Sequence, residues 1–247
     1  MTKNNAFKNY LFIPLFGTVI LLMSLGCGAQ EKDRILVFTK TDGFVHESIP
    51  AGKVALMQAG REAGFEVDTT SDASEFRDNL KKYEVVVFLN TTGNVLNERQ
   101  QSAFEKFIQA GGGFVGIHSA ADTEYDWPWY GKLVGGYFKS HPHIQEAVIN
   151  VVDRDHISTA HLPKQWERED EWYNYKELNP EVNFLATLNE ESYEGGENGE
   201  HHPIAWFHHY DGGRAFYTGG GHTSISYEEP DFLKHVLNGI LWAAGRK

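Results

Sequence analysis

The sequence predicts an α/β fold: a doubly wound, mostly parallel sheet flanked by helices. Three observations carry this. Val85 to Leu89 (VVVFL) is apolar at every position, as suits a parallel strand covered on both faces. Arg34 to Thr39 (RILVFT) and Phe114 to His118 read as further short buried strands. Helically spaced segments lie between these runs, and strand, helix, strand alternation is the signature of a parallel sheet.

The elements follow in order. Ile49 to Ala63 places Val54, Leu56, Met57 and Ala63 at helical spacing, and Gly64 is a stop signal. Phe65 to Thr69 reads as the second strand. Asn97 caps the next helix, with Gln100 at the N3 position of a capping box. Ala103, Phe104, Phe107, Ile108 and Ala110 form its apolar stripe, and Gly111-Gly112-Gly113 ends it. After Asp122 the regularity fades, and residues 123 to 145 are aromatic and histidine-rich without a clear period. Strand-like pieces return at Ala147 to Val152, Phe184 to Leu188, Ile204 to Phe207 and Arg214 to Thr218. Glu190 to Glu200 is glycine-rich and acidic, an exposed loop, and Phe232 to Ala244 is a closing helix. With no repeat and no long linker, residues 34–247 read as one domain.

The first 27 residues read as a targeting segment. Lys3 and Lys8 are the only charges before Glu31, and Leu11 to Leu25 is almost wholly apolar. That stretch is shorter than the about 20 residues of a membrane-spanning helix and suits a signal-peptide core. Ser24-Leu25-Gly26-Cys27 resembles a bacterial lipoprotein processing site, loosely, because Ser24 stands where Leu is usual. An uncleaved anchor or ordinary signal cleavage nearby is the alternative. The expectation is lipidation at Cys27, a short tether over residues 28–33, and a place in the bacterial cell envelope, anchored to the membrane by lipid.

The chain has 34 acidic and 22 basic residues, a formal charge of −12, and one cysteine. This balance argues against a sequence-independent nucleic-acid binder, which needs a basic stripe. Cleavage before Cys27 would remove Lys3 and Lys8 and no acid, giving 20 − 34 = −14. A lipidated Cys27 would leave no free thiol, which excludes cysteine catalysis.

In open α/β sheets, sites form beyond the C-terminal ends of the strands. Three such ends carry histidine: His46, His118 and His222. Glu47, Asp122 and Glu171 are carboxylate candidates to pair with them. Imidazole titrates near neutrality, so a positioned histidine can take and return a proton. The same residue types bind divalent metals, with His141 and His143 as two further imidazoles, although no HxxxH or HExxH spacing is present. Histidines of this kind can equally serve as hydrogen-bonding core groups. In Gly116 to Ala120 the residue at the apex of the strand-to-helix turn is His118, not Ser119, which disfavours a serine nucleophile. Trp127 and Trp129, and Trp172 and Tyr173, form aromatic clusters beside acids. Such rings suit sugars, whose C–H faces pack on them, and also suit packing under long loops.

Taken together, Gly43 to Ile49 (GFVHESI), Gly112 to Ala120 (GGFVGIHSA), His141-Pro142, Asp170 to Tyr173 (DEWY), Pro203 to Trp206 and Gly213 to Thr218 (GRAFYT) resemble the ThuA-like family, named for trehalose utilisation. The resemblance spans about residues 34 to 244. It implies a fold similar to class I glutamine amidotransferases, of flavodoxin-like type. His118 stands at the amidotransferase cysteine position, so a glutaminase triad is not expected. His222 falls where the amidotransferase histidine would lie. Glu47 and Gly220 stand where many members have Asp and Leu.

The resemblance implies carbohydrate metabolism, with oxidised (3-keto) glycosides as substrates. The expectation is histidine/carboxylate acid–base chemistry, with or without a divalent metal. His46, Glu47, His118 and His222 are the catalytic candidates. Asp122, Trp127, Trp129, His141, Glu171, Trp172 and Tyr173 are the substrate-binding candidates. His46, His118, His141, His143 and His222 are the candidate metal ligands. A metal-dependent hydrolase of ordinary glycosides or esters and a non-catalytic surface sugar-binding lipoprotein are the rival readings.

Overall fold

A computed structural model describes residues 33–246 together with Met1 and Thr2. The expected signal segment, nearly all of the tether and Cys27 lie outside the described residues. In chain order the elements are β1 (Arg34–Phe38), α1 (Ile49–Glu62), β2 (Glu66–Thr70), β3 (Val85–Leu89), α2 (Glu98–Gln109), β4 (Gly113–Ile117), α3 (Pro128–Val134), β5 (Tyr137–Ser140), β6 (Gln145–Val151), β7 (Gln165–Asp170), β8 (Asn174–Lys176), β9 (Asn183–Leu188), β10 (Pro203–Tyr210), β11 (Gly213–Thr218) and α4 (Pro230–Ala243).

Nine strands form one sheet in the order β2-β1-β3-β4-β11-β10-β9-β6-β7, and β5 pairs with β8 separately. The first five strands of that order are parallel. This half is the mostly parallel sheet expected from the sequence, and its strands β3 and β4 are buried at every position. The capping box at Asn97 and Gln100 forms as expected, and Phe104, Phe107 and Ile108 bury the stripe of α2. Beyond β11 the sheet continues through four antiparallel strands.

Part of that extension is not evident from hydrophobic pattern. In β7 the buried positions alternate with exposed ones, but the buried face carries Trp166, Arg168 and Asp170. Two charged residues on the inner face erase the apolar alternation by which a strand is read. The helix α3 has only seven residues. Proline at its first turn and Gly135 in the left-handed conformation at its end (φ 93°) set its limits.

The parallel order 2-1-3-4 places a topological switch between β1 and β3, where ligands bind in doubly wound folds. The loops beyond these strands are tied together: Asp42 N–H donates to Thr92 O at 2.8 Å and Gly93 N–H to Asp122 O at 2.9 Å. Strands β7 and β11 run in the same direction, because three antiparallel steps between β11, β10, β9 and β6 precede the fourth to β7. The residue after β7 therefore emerges at the same sheet edge as those after β1, β3, β4 and β11.

Among the histidines buried in the body of the fold are His208 and His235. Burial lowers His235 to about 3 and His208 to about 4, so both are neutral in the native state near neutrality. Their folded values lie below the unfolded 6.5, so the unfolded chain binds more protons in that window. Stability from these groups is present above 6.5 and lost as pH falls towards 4. The urea midpoint is expected to fall over this range, and to fall less in a His235→Gln variant. An equal fall in both proteins would contradict neutral burial of His235.

Candidate functional site

The rim assembles one imidazole from each of three loops. His46 lies in the loop after β1, His118 directly after β4, and His222 after β11. Their ring centroids form a near-equilateral triangle with sides of 4.9, 5.0 and 5.1 Å, and the ring planes cross at 87°, 83° and 75°. Glu171, directly after β7, closes the group. Its Oε2 lies 3.1 Å from His222 Nδ1 and 3.4 Å from His118 Nε2. His118 Nε2 and His222 Nδ1 are themselves 3.1 Å apart. One donor atom from each of the four residues lies within 4.8 Å of the others.

His118 is the most constrained member. It adopts φ +48°, rare for a non-glycine residue. Such a conformation costs on the order of 1–3 kcal/mol and persists only when its surroundings fix it. Here Tyr217 donates its hydroxyl proton to the His118 carbonyl at 2.7 Å. His118 Nδ1 is 2.9 Å from the Gly219 carbonyl. A carbonyl only accepts, so Nδ1 carries a proton and Nε2 is the atom that faces the cluster. Tyr173 packs on the imidazole with centroids 4.1 Å apart.

Asp170, fully buried, joins the two loops that carry Glu171 and His222. Its Oδ1 accepts from the backbone N–H of Glu171 (3.0 Å) and of His222 (3.1 Å). Its Oδ2 accepts from Gly221 N–H (2.8 Å), Ser226 Oγ (3.0 Å) and Arg168 (3.4 Å). The Arg168 guanidinium also donates to Glu229 at 2.7 and 3.0 Å. Gly221 has φ +104°, a conformation suited to glycine. Its carbonyl accepts from Ser48 (3.2 Å), Asn90 (3.0 Å) and Tyr227 (3.2 Å). Ser48 stands at the N-cap of α1 but makes no side-chain cap bond there; its hydroxyl instead steadies the His222 loop.

The electrostatics differ from residue to residue. Burial, then the neighbouring imidazoles of His118 and His222, lower His46 to about 3. His222 moves the other way: burial alone would lower it, but the bonded Glu171 carboxylate outweighs this and raises it. Burial alone would raise Glu171, yet the imidazoles of His118 and His222 hold it well below the usual carboxylate range. Burial raises Asp122, partly offset by the hydroxyl of Tyr125.

The other expected residues are dispersed. Glu47 is exposed and outside the four-residue group, where Glu171 supplies the carboxylate. His143 is exposed and does not enter the group. His141 lies outside it too, with Nδ1 3.0 Å from Glu171 Oε1 and 2.8 Å from the Pro142 carbonyl. Asp122 accepts from the Tyr125 hydroxyl at 2.6 Å. Trp172 is core, its indole N–H donating to Gln145 O at 2.8 Å. Trp127 and Trp129 stack on each other and donate to Glu105 and Asp211, at 3.2 and 2.8 Å, by α2 and the β10–β11 turn. Sequence pattern gave no role to Asp170, Arg168, Ser48, Asn90 or Tyr217, although the resemblance motifs include Ser48, Asp170 and Tyr217. The adjacent acids Asp170-Glu171 were the one visible signal.

The family model for ThuA, trehalose utilisation, matches residues 34–243. The chain belongs to the ThuA family. A ThuA-like protein from Bacteroides uniformis is 25% identical, with 85% of this chain and 91% of that chain covered and a TM-score of 0.73. Another from Parabacteroides merdae is 23% identical, covering 87% and 91%, with a TM-score of 0.74. A Thermoplasma acidophilum protein described as a GMP synthase subunit is 11% identical, covering 87% and 94% with a TM-score of 0.51, which shows the shared fold alone. No curated protein matches the chain. Membership in ThuA carries a carbohydrate-related role. In this ThuA chain the apex after β4 is a histidine facing two others and a carboxylate, a donor set suited to divalent metals.

Removing Asp170 strips the acceptor from the buried backbone N–H groups of Glu171, Gly221 and His222, while Arg168 keeps Glu229. At about 1–3 kcal/mol for each donor left unpaired, Asp170→Ala is expected to cost about 3–5 kcal/mol of stability, read as a lower urea midpoint. An Asp170→Ala protein as stable as the parent would contradict this role.

Proposed function

We propose that this ThuA protein is a carbohydrate-processing enzyme that cleaves or rearranges 3-keto-glycosides at the His46–His118–Glu171–His222 cluster. The observation that carries the reading is the convergence of three imidazoles and one carboxylate on the sheet rim, with donor atoms within 4.8 Å of one another. Their chemistry fits a divalent metal. His118 offers Nε2 while its Nδ1 is held by a carbonyl, the arrangement common to metal-bound imidazoles. A tetrahedral site with bonds of about 2.0–2.1 Å separates its ligand atoms by roughly 3.3 Å, close to the 3.1 and 3.4 Å separations around Glu171. When bound there, a divalent metal supplies Lewis-acid polarisation of the substrate ketone.

The chain's own groups supply the rest. A 3-keto group acidifies the adjacent C2–H. His141, exposed at the edge of the cluster and bonded to Glu171, is placed to take that proton. Asp122, at the end of the segment that begins at His118 and bonded to the Tyr125 hydroxyl, is the candidate to hand a proton to the departing oxygen as the C1–O bond breaks and the C1=C2 bond forms. Phe44 is 64% exposed with its ring 4.9 Å from His46, a face on which a sugar ring can lie. Lipid attachment at Cys27 would hold this site at the bacterial cell envelope.

The reading is tested with a 3-keto-glucoside and its unoxidised parent. Wild type is expected to turn over the first and not the second, and His118→Ala and His222→Ala are expected to lose at least about 100-fold in kcat. Variant rates equal to wild type would overturn it. Equal turnover of the unoxidised glycoside, abolished by chelator, would favour a metal-dependent hydrolase. Saturable sugar binding without turnover would favour a binding protein.

A further inference from the structure

A cleft of about 570 Å³ opens beside α3, lined in part by Tyr125, Tyr137, Tyr210, Lys132, Glu177 and Glu181. Its size lies within the roughly 300–1,000 Å³ typical of small-molecule sites. Tyr125 and Tyr137 pack with centroids 4.9 Å apart, inclined by 31°. Polar groups of both signs line the same space, and among the described residues Lys132 and Glu177 form no ion pair. Glu177 adopts φ +53°, a strained backbone for a residue that is not glycine, and such outliers gather at ligand sites.

One hydrogen bond links the cleft lining to the segment that carries His118. Tyr125, one of the lining residues, donates its hydroxyl proton to Asp122 at 2.6 Å. Asp122 ends the short 3₁₀ segment that begins at His118. A substrate extending from His118 along this segment would run towards Tyr125 and the cleft. Trp127 and Trp129 are not part of its lining.

We propose that this cleft is a saccharide subsite, holding a second sugar unit of a substrate whose reacting sugar lies over the histidine cluster. The proposal rests on the carbohydrate reading of that cluster. The Tyr210 ring suits the C–H face of a pyranose, while an ammonium donor and carboxylate acceptors suit its hydroxyls. A hydrocarbon ligand would leave those charges buried without partners.

Calorimetric titration of the intact protein with cellobiose, maltose and trehalose tests this. At least one of them is expected to bind wild type and, with its second sugar still held in the cleft, to keep measurable though weaker binding in His118→Ala, since the cleft contains no cluster residue. Lys132→Ala/Glu177→Gly, which keeps the left-handed backbone at 177, is expected to weaken binding about tenfold or more. Tyr210→Ala is expected to weaken it as well by removing part of an aromatic wall. Absence of disaccharide binding to wild type, or unchanged affinity in both cleft variants, would overturn the subsite. So would binding lost in His118→Ala but kept in the cleft variants, which would place the sugar over the cluster alone. An inactive wild type that still binds a disaccharide through the cleft residues would count against the reaction and in favour of the subsite.

Discussion

A fully buried carboxylate, Asp170, ties two separate parts of the chain into one rim. One oxygen accepts from the backbone of Glu171 and His222, and the other from Gly221, Ser226 and Arg168. Isolated buried carboxylates are costly, and this one persists because donors surround it. The consequence reaches well beyond local stability. Glu171 follows a strand at the far edge of the antiparallel extension, whereas His222 follows the last strand of the parallel half. Asp170 fixes where the two meet.

The cluster itself concentrates groups that do not stabilise one another by packing alone. Three imidazoles face each other across about 5 Å, beside one carboxylate. His46 is driven neutral by burial and by its neighbours, while His222 is biased towards its charged form by Glu171. His118 and Asn90 both hold positive φ. Strain, burial and mutually opposed titration are therefore gathered at one rim, while the remainder of the parallel half is regular. That division is the usual one between a scaffold and a site.

The parallel half was legible because its central strands β3 and β4 are short and buried at every position, and its helices carry caps and stops. Val85–Leu89 and Asn97 with Gln100 left little choice. The histidines were legible as a set because each follows a strand end. The antiparallel extension was less so, because the inner face of β7 carries Arg168 and Asp170 and so lacks the apolar alternation of a strand. The tryptophans at 127 and 129 could not be assigned from sequence, since rings beside acids suit both sugar contact and packing; in the fold their indoles pack by α2 and the β10–β11 turn. Glu47 and Glu171 could not be ranked from sequence, since the distinction depends on β7 returning to the edge occupied by β11.

The proposed chemistry depends most on the four-residue cluster acting as a metal-binding reaction centre. The most direct test is elemental analysis of the protein from residue 28 onward, purified without an affinity histidine tag. One divalent metal per chain is expected, reduced in a Glu171→Gln/His222→Ala variant that remains folded. A metal-free protein after supplementation, or an undiminished metal content in that variant, would contradict it.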